Sequence, residues 1–201
     1  LWFYSFHLKA STGSANEAQR LLECQTIRAN GNGLPANSRI IYAGDYNMQD
    51  STEAGYVYLL ANQADNDGRV HDPVNRGGHW NSNVAFAPVH TQSPKNLSNP
   101  YGGATGGMDD RFDFMLSSTA LLSKEGLSWI PGTYKAYGND GLHCCNAALN
   151  DAPTIPEGAA MANALTDASD HLPMMMDVQL PARIGVVASL NFGTVIVGTG
   201  A

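Results

Sequence analysis

Apolar and polar positions along the chain change period several times, and each change marks an element. Residues 1–9 form a near-continuous apolar stretch, Leu1-Trp-Phe-Tyr-Ser-Phe followed by His7-Leu-Lys9, as expected of a central strand covered on both faces. A polar turn, Ser11-Thr-Gly-Ser14, comes next. From Asn16 the spacing becomes helical: Ala18, Leu21, Leu22, Cys24 and Ile27 recur on one face, until Gly31, Gly33 and Pro35 end the run. Arg39-Ile-Ile-Tyr-Ala43 predicts a second strand that runs straight into Gly44-Asp-Tyr-Asn47. A second helix is predicted over residues 51–62, with Ser51 or Thr52 as its cap and Glu53 in its first turn.

Residues 63–110 are rich in loop formers, with a strand predicted from Asn83 to His90 and a glycine cluster from Gly102 to Gly107. Phe112 to Leu116 predicts another strand. A further loop-rich region leads to Ser169-Asp-His-Leu-Pro173, and Met174 to Leu180 predicts a closing strand whose Met174-Met-Met176 run is core packing. Strands alternating with helices point to an α/β sandwich and away from an all-β fold. Past Pro181 the pattern turns β-like, Ser189-Leu-Asn-Phe-Gly-Thr-Val-Ile-Val-Gly198. The predicted organisation is therefore one α/β unit over residues 1–181, then a linker and the first strands of a β-rich module over residues 182–201.

The 201 residues suffice for one ordinary domain, and 43% apolar with 14% charged residues describes a globular chain rather than a disordered one. Apolar runs such as Val186 to Leu190 are far too short to cross a bilayer. The opening run lacks the basic leader and small-residue cleavage site of a signal peptide. It reads as a strand entered midway, and the other end also closes on a strand-like run, so a longer parent protein is expected. A net charge of −7 argues against sequence-independent nucleic-acid binding through a basic surface, although it leaves a nuclease open, because a divalent cation can supply charge locally. Cys24 and the adjacent Cys144 and Cys145 have no zinc-site spacing, and neighbouring cysteines rarely bond each other, which leaves the redox compartment open.

Three short clusters place acids, amides or imidazoles at predicted strand ends. In Gly44-Asp45-Tyr46-Asn47, residues two apart in an extended chain face the same side, so Asp45 and Asn47 can enter one site and hold a water and an oxygen of an ester; an Asx-type turn closing the strand explains the tetrapeptide equally well. In Asp109-Asp-Arg-Phe-Asp-Phe114, Asp113 interrupts an apolar strand and needs a partner, either a histidine or Arg111. In Ser169-Asp170-His171-Leu-Pro173, an acid and an imidazole sit side by side before a strand, as a general acid/base pair would, although a lone histidine there is more commonly a packing residue. Their joint occurrence decides between these readings. His71-Asp72, His79 and His90 are scattered through a loop region, and the contiguous His143-Cys144-Cys145 is sterically poor for a metal.

Taken together, Ser5-Phe-His-Leu-Lys9, Gly44-Asp-Tyr-Asn47, Gly107-Met-Asp-Asp-Arg-Phe-Asp-Phe114 and Ser169-Asp-His-Leu-Pro173 resemble the endonuclease/exonuclease/phosphatase superfamily over roughly residues 1–180, with Trp80 and His90-Thr-Gln-Ser93 where members carry a substrate-side loop and strand. The resemblance implies an α/β fold, part of a four-layer sandwich with mixed β-sheets. It implies metal-dependent phosphodiester hydrolysis, nuclease-like, on nucleic acid or another phosphodiester. His7 looks like the imidazole near the scissile phosphate, Asp45 and Asn47 like the pair that orients water and phosphate, and Asp113 like the carboxylate that fixes the catalytic His171. Asp170, with Asp45, looks like a metal-associated acid for Mg2+, with Mn2+ or Ca2+ as alternatives. Members carry upstream an Asn strand and a metal-ligating Glu strand, and this sequence starts after both. The front half is thus expected to be missing, so that the chain is inactive alone or completed by a second chain or another copy. The stretch from Ser189 to Thr199 resembles the opening strands of immunoglobulin-like modules of bacterial surface proteins, which implies a secreted or cell-surface parent. The competing reading is a non-catalytic, self-associating structural module.

Overall fold

The structure, a computed structural model, describes residues 1–181, so the β-rich module expected over residues 182–201 lies outside the described residues. The fold is α/β. Strand β1 (Trp2–His7) leads through helix α1 (Ser14–Asn32) to β2 (Ile40–Asp45), then helix α2 (Ala54–Leu60), the short β3 (Val70–His71) and β4 (Asp113–Ser118). These four strands form one mixed sheet in the order β1-β2-β4-β3, with β1 and β2 parallel and the other pairs antiparallel. Beyond it come α3 (Thr119–Leu122), β5 (Ser128–Trp129), β6 (Lys135–Ala136), α4 (Ala159–Ala168), β7 (Met174–Met175) and β8 (Val178–Gln179). β5 pairs with β8, and β6 with β7.

Helices α1 and α2 cover one face of the sheet over a core of Cys24, Tyr42, Tyr46, Tyr56, Leu59, Trp80, Phe114 and Leu116. Phe114 and Trp80 meet edge-on with centroids 5.7 Å apart, an arrangement that adds a specific geometry to the burial of two large rings. On the opposite face Ile41, Ala43 and Leu121 make a smaller cluster with Met115, Leu127 and Met176. A third cluster, including Met108, Leu149, Ile155 and Leu172, lies against Leu165 of α4.

Several local expectations are revised. β1 is an edge strand, with Trp2 49% and Phe3 58% exposed, rather than a central strand covered on both sides. The buried side of α1 is carried by Arg20, Cys24, Arg28 and Gly31, while Leu22 is exposed. Both arginines enter the interior on acceptors that await their guanidinium groups. Arg20 pairs with Glu53 at 2.7 Å and donates to the carbonyls of Lys9 and Ser11; Arg28 donates to the carbonyls of Ala61 and Asp65. The predicted strand at Asn83–His90 is instead a 3-10 turn over Val84–Val89: the Asn83 side chain caps it by accepting from Ala85 N–H, and Pro88 has no N–H to offer a ladder. The predicted closing strand divides into β7 and β8, which join different small sheets.

Candidate active site

Register builds the site. His7, the last residue of β1, lies opposite Asp45, the last of β2, and Asp45 lies opposite Asp113, the first of β4. Three polar side chains predicted from separate motifs thus occupy one cross-strand row at one end of the sheet. His7 Nε2 is 3.3 Å from Asp45 Oδ2.

His171 joins this row from the far end of the chain. Its Nδ1–H donates to Asp113 Oδ2 at 2.7 Å, while Nε2 lies 3.7 Å from Asp45 Oδ2. The buried Thr91 is the clamp that brings the two segments together. Its hydroxyl accepts from the N–H groups of Phe112 and Asp113, at 3.1 Å each, and its carbonyl accepts from Leu172 N–H at 2.8 Å. The Asp113 partner is therefore the histidine. Arg111 turns the other way, into a doubly bonded, buried pair with Asp72 at 2.8 Å.

Electrostatics follow from this packing. Burial alone favours the neutral His171 ring, but the hydrogen bond and charge of Asp113, together with Asp45 and Asp170, outweigh it and raise the ring above 6.5. Burial pushes the Asp45 carboxyl above 3.8, reinforced by the Asp113 charge, although Asn47 N–H donates to it. Both groups thus hold their protons more tightly than they would in water.

Asn47 lies just beyond β2 at φ +51°, so it does not continue the strand as the spacing argument assumed. Its amide Nδ2 donates to the Leu8 carbonyl at 3.1 Å, tying the ends of β1 and β2 together. Asp170 sits beside His171 in sequence, yet its carboxylate accepts from Ala104 N–H at 2.7 Å, on the glycine loop. Burial acts to raise Asp170, but the backbone N–H bonds prevail and hold it below the usual carboxylate value.

The donors fit a divalent cation poorly. Such an ion takes six or more oxygens. Here one oxygen of Asp45 is taken by Asn47 N–H and Asp170 is engaged by Ala104. Among the described residues, no three acidic, imidazole or thiol side chains gather where they could hold a metal ion.

Two participants were not singled out from the sequence. Thr91 is one. Gln92 is the other: its amide donates to His171 Nε2 at 2.7 Å, and its backbone bridges both Asp110 and His171. Both lie in the tetrapeptide His90-Thr-Gln-Ser93, which the sequence resemblance sets on the substrate side, but no spacing rule assigns its members individual tasks. Cys144 and Cys145 form a disulfide, contrary to the expectation for neighbours, and Cys24 is a free thiol in the core, pushed up to about 12 by burial.

Among solved structures the chain is similar to sphingomyelinase C from Streptomyces griseocarneus. Identity is 22% and the TM-score 0.35, with 65% of this chain and 42% of that one covered. The chain thus spans less than half the length of that protein. No family model and no curated protein matches it.

Proposed function

We propose that this chain carries the proton-transfer part of a phosphodiester-hydrolysing site. The observation that supports it most is the His7–Asp45–Asp113 row at one end of the sheet, closed by the 2.7 Å Asp113–His171 bond. In this reading His171, oriented by Asp113, takes a proton from water through Nε2 as the water oxygen bonds to phosphorus; the bond from phosphorus to the leaving alkoxide breaks, and solvent protonates that alkoxide. Asp45 faces both imidazoles and orients the water. The exposed His7 faces the incoming ester. Asn47 holds the strand ends that carry His7 and Asp45 together. The substrate is nucleic acid or another phosphodiester, and a magnesium-type ion would require donors beyond the described residues. The Cys144–Cys145 disulfide suits an oxidising, extracellular setting.

The test is a panel of plasmid DNA and small phosphodiesters, with and without magnesium, on the native chain and on His171→Ala and Asp113→Asn. Cleavage lost roughly a hundredfold or more in both variants is the expected result. Cleavage that survives both substitutions would sink the reading.

One observation favours a second reading, a non-catalytic self-associating module. Trp2 and Phe3, with Leu1 just before them, are exposed at the start of an edge strand whose outer backbone groups have no neighbouring strand among the described residues. Concentration-dependent growth in light scattering, abolished by Trp2→Lys with Phe3→Lys, is expected from it; a monodisperse monomer at high concentration rejects it.

A further inference from the structure

The candidate site is rich in acceptors and poor in donors. Asp45 and Asp113 bring two carboxylates to the row, and an arriving phosphodiester adds another anion. An amide that could offset this, Asn47, already spends one of its two side-chain N–H groups on the Leu8 carbonyl. Arg111 is held by Asp72 behind the sheet, and Asn81 donates to Asp110 at 2.6 Å. One neutral donor at the row is the Gln92 carboxamide, and it is placed on the atom that has to be vacated, His171 Nε2. With Nδ1–H given to Asp113, that nitrogen carries a lone pair, which is what a proton acceptor needs and what the Gln92 N–H now covers.

The backbone around Gln92 is fixed while its side chain is held at one point. Gln92 N–H donates to the Asp110 carbonyl at 3.1 Å, and the Gln92 carbonyl accepts from Asp109 and Asp110 N–H at 2.9 and 3.0 Å. A side chain on such a base can exchange one acceptor for another by rotation alone.

We propose that Gln92 is a substrate-contacting residue whose carboxamide N–H passes from His171 Nε2 to a non-bridging oxygen of the bound phosphodiester. The exchange frees Nε2 at the moment water must lose its proton, so binding of the ester uncovers the base. The proposal rests on the hydrolytic reading above and deepens it by naming the group that recognises the anion.

The experiment combines binding with turnover. The 15N-labelled native protein is titrated with diethyl phosphate while the Gln92 side-chain amide and His171 ring signals are followed. Hydrolysis of bis(4-nitrophenyl) phosphate is measured for the native protein, Gln92→Leu and Gln92→Glu. The ester is expected to shift the Gln92 amide and His171 Nε2 signals together. Gln92→Leu, which keeps the length and removes the donor, is expected to raise KM roughly three- to tenfold, the worth of one neutral hydrogen bond, with most of the effect on KM rather than kcat. Gln92→Glu is expected to raise it further, because a carboxylate then faces the anion.

A native protein that hydrolyses the diester while Gln92→Leu keeps the same or a lower KM overturns the proposal and leaves the hydrolytic reading standing. Joint signal shifts without any turnover overturn the hydrolytic reading and leave Gln92 as the anion contact. A native protein that neither shifts nor turns over rejects both. Because the native titration needs no variant, a substitution that fails to fold does not remove the test.

Discussion

Single side chains here owe their chemistry to what burial leaves them to bond. His171 and Asp45 both hold protons more tightly in the folded chain than in an unfolded one. Their contributions to stability are therefore fully present below 6.5 for the ring and below 3.8 for the carboxyl, and fade as pH rises through the higher folded values. For catalysis the sign is reversed, because a base must be unprotonated. The acidic limb of kcat/KM is expected above pH 6.5, and Asp113→Asn is expected to move it downward while lowering the plateau roughly a hundredfold or more; a pH–rate profile of both proteins checks this. Thr91 offers a sharper case. Thr91→Val keeps the shape but leaves the Phe112 and Asp113 N–H groups without their acceptor, at a cost of about 1–3 kcal/mol, read as a lower urea midpoint. His7, Asp45, Asp113 and His171 were legible from the sequence because acids and imidazoles at strand ends are conspicuous. Thr91 and Gln92 were not, since a buried hydroxyl and an amide acquire their tasks only from partners distant in the chain.

Elements turn those side chains into a site by register. His7, Asp45 and Asp113 fall in one row only because β1 runs parallel to β2 and β4 antiparallel to it, with pairings that place the end of one strand opposite the start of another. No sequence pattern states a register; alternation fixes which face a residue takes, not which residue it meets. The same limit explains β1, whose apolar run predicts a covered strand when it is an edge. It also explains α1, where buried Arg20 and Arg28 break the expected apolar stripe because carbonyls and Glu53 await them. Gly44, one step from the row, is where the pairing is most exacting. It has φ +143°, and a Cβ built there would lie 1.8 Å from the Phe6 carbonyl oxygen. Gly44→Ala is expected to part the ends of β1 and β2, costing more than about 1 kcal/mol and lowering any turnover through His7 and Asp45; thermal melting and the hydrolysis assay report the two effects separately.

At the scale of the whole fold, a buried polar cluster joins layers alongside the apolar core among the described residues, and no sequence pattern announces it. Asp72 follows β3, Arg111 precedes β4 and Tyr56 lies in α2, and the three converge: Arg111 donates twice to Asp72 at 2.8 Å, and the Tyr56 hydroxyl donates to the same carboxylate at 2.7 Å. The guanidinium also lies 4.2 Å over the Phe114 ring, in the row next to Asp113. The sequence offered Asp113 two partners, a histidine or Arg111. The fold sends Arg111 to the helix-covered side and leaves Asp113 to the histidine, so that the Arg111–Asp72 and Asp113–His171 pairs occupy opposite faces of one sheet. Removing one member of a buried pair strands the other without water. Asp72→Ala is accordingly expected to cost about 3–5 kcal/mol, whereas Asp72→Ala combined with Arg111→Met, which strands no charge, is expected to recover a substantial part of that loss. Urea unfolding of the two variants beside the native chain measures the difference. A double variant no more stable than Asp72→Ala would mean that Arg111 contributes chiefly through its contact with Phe114 and Trp80, and that the pair is not what joins the helical layer to the strand carrying Asp113.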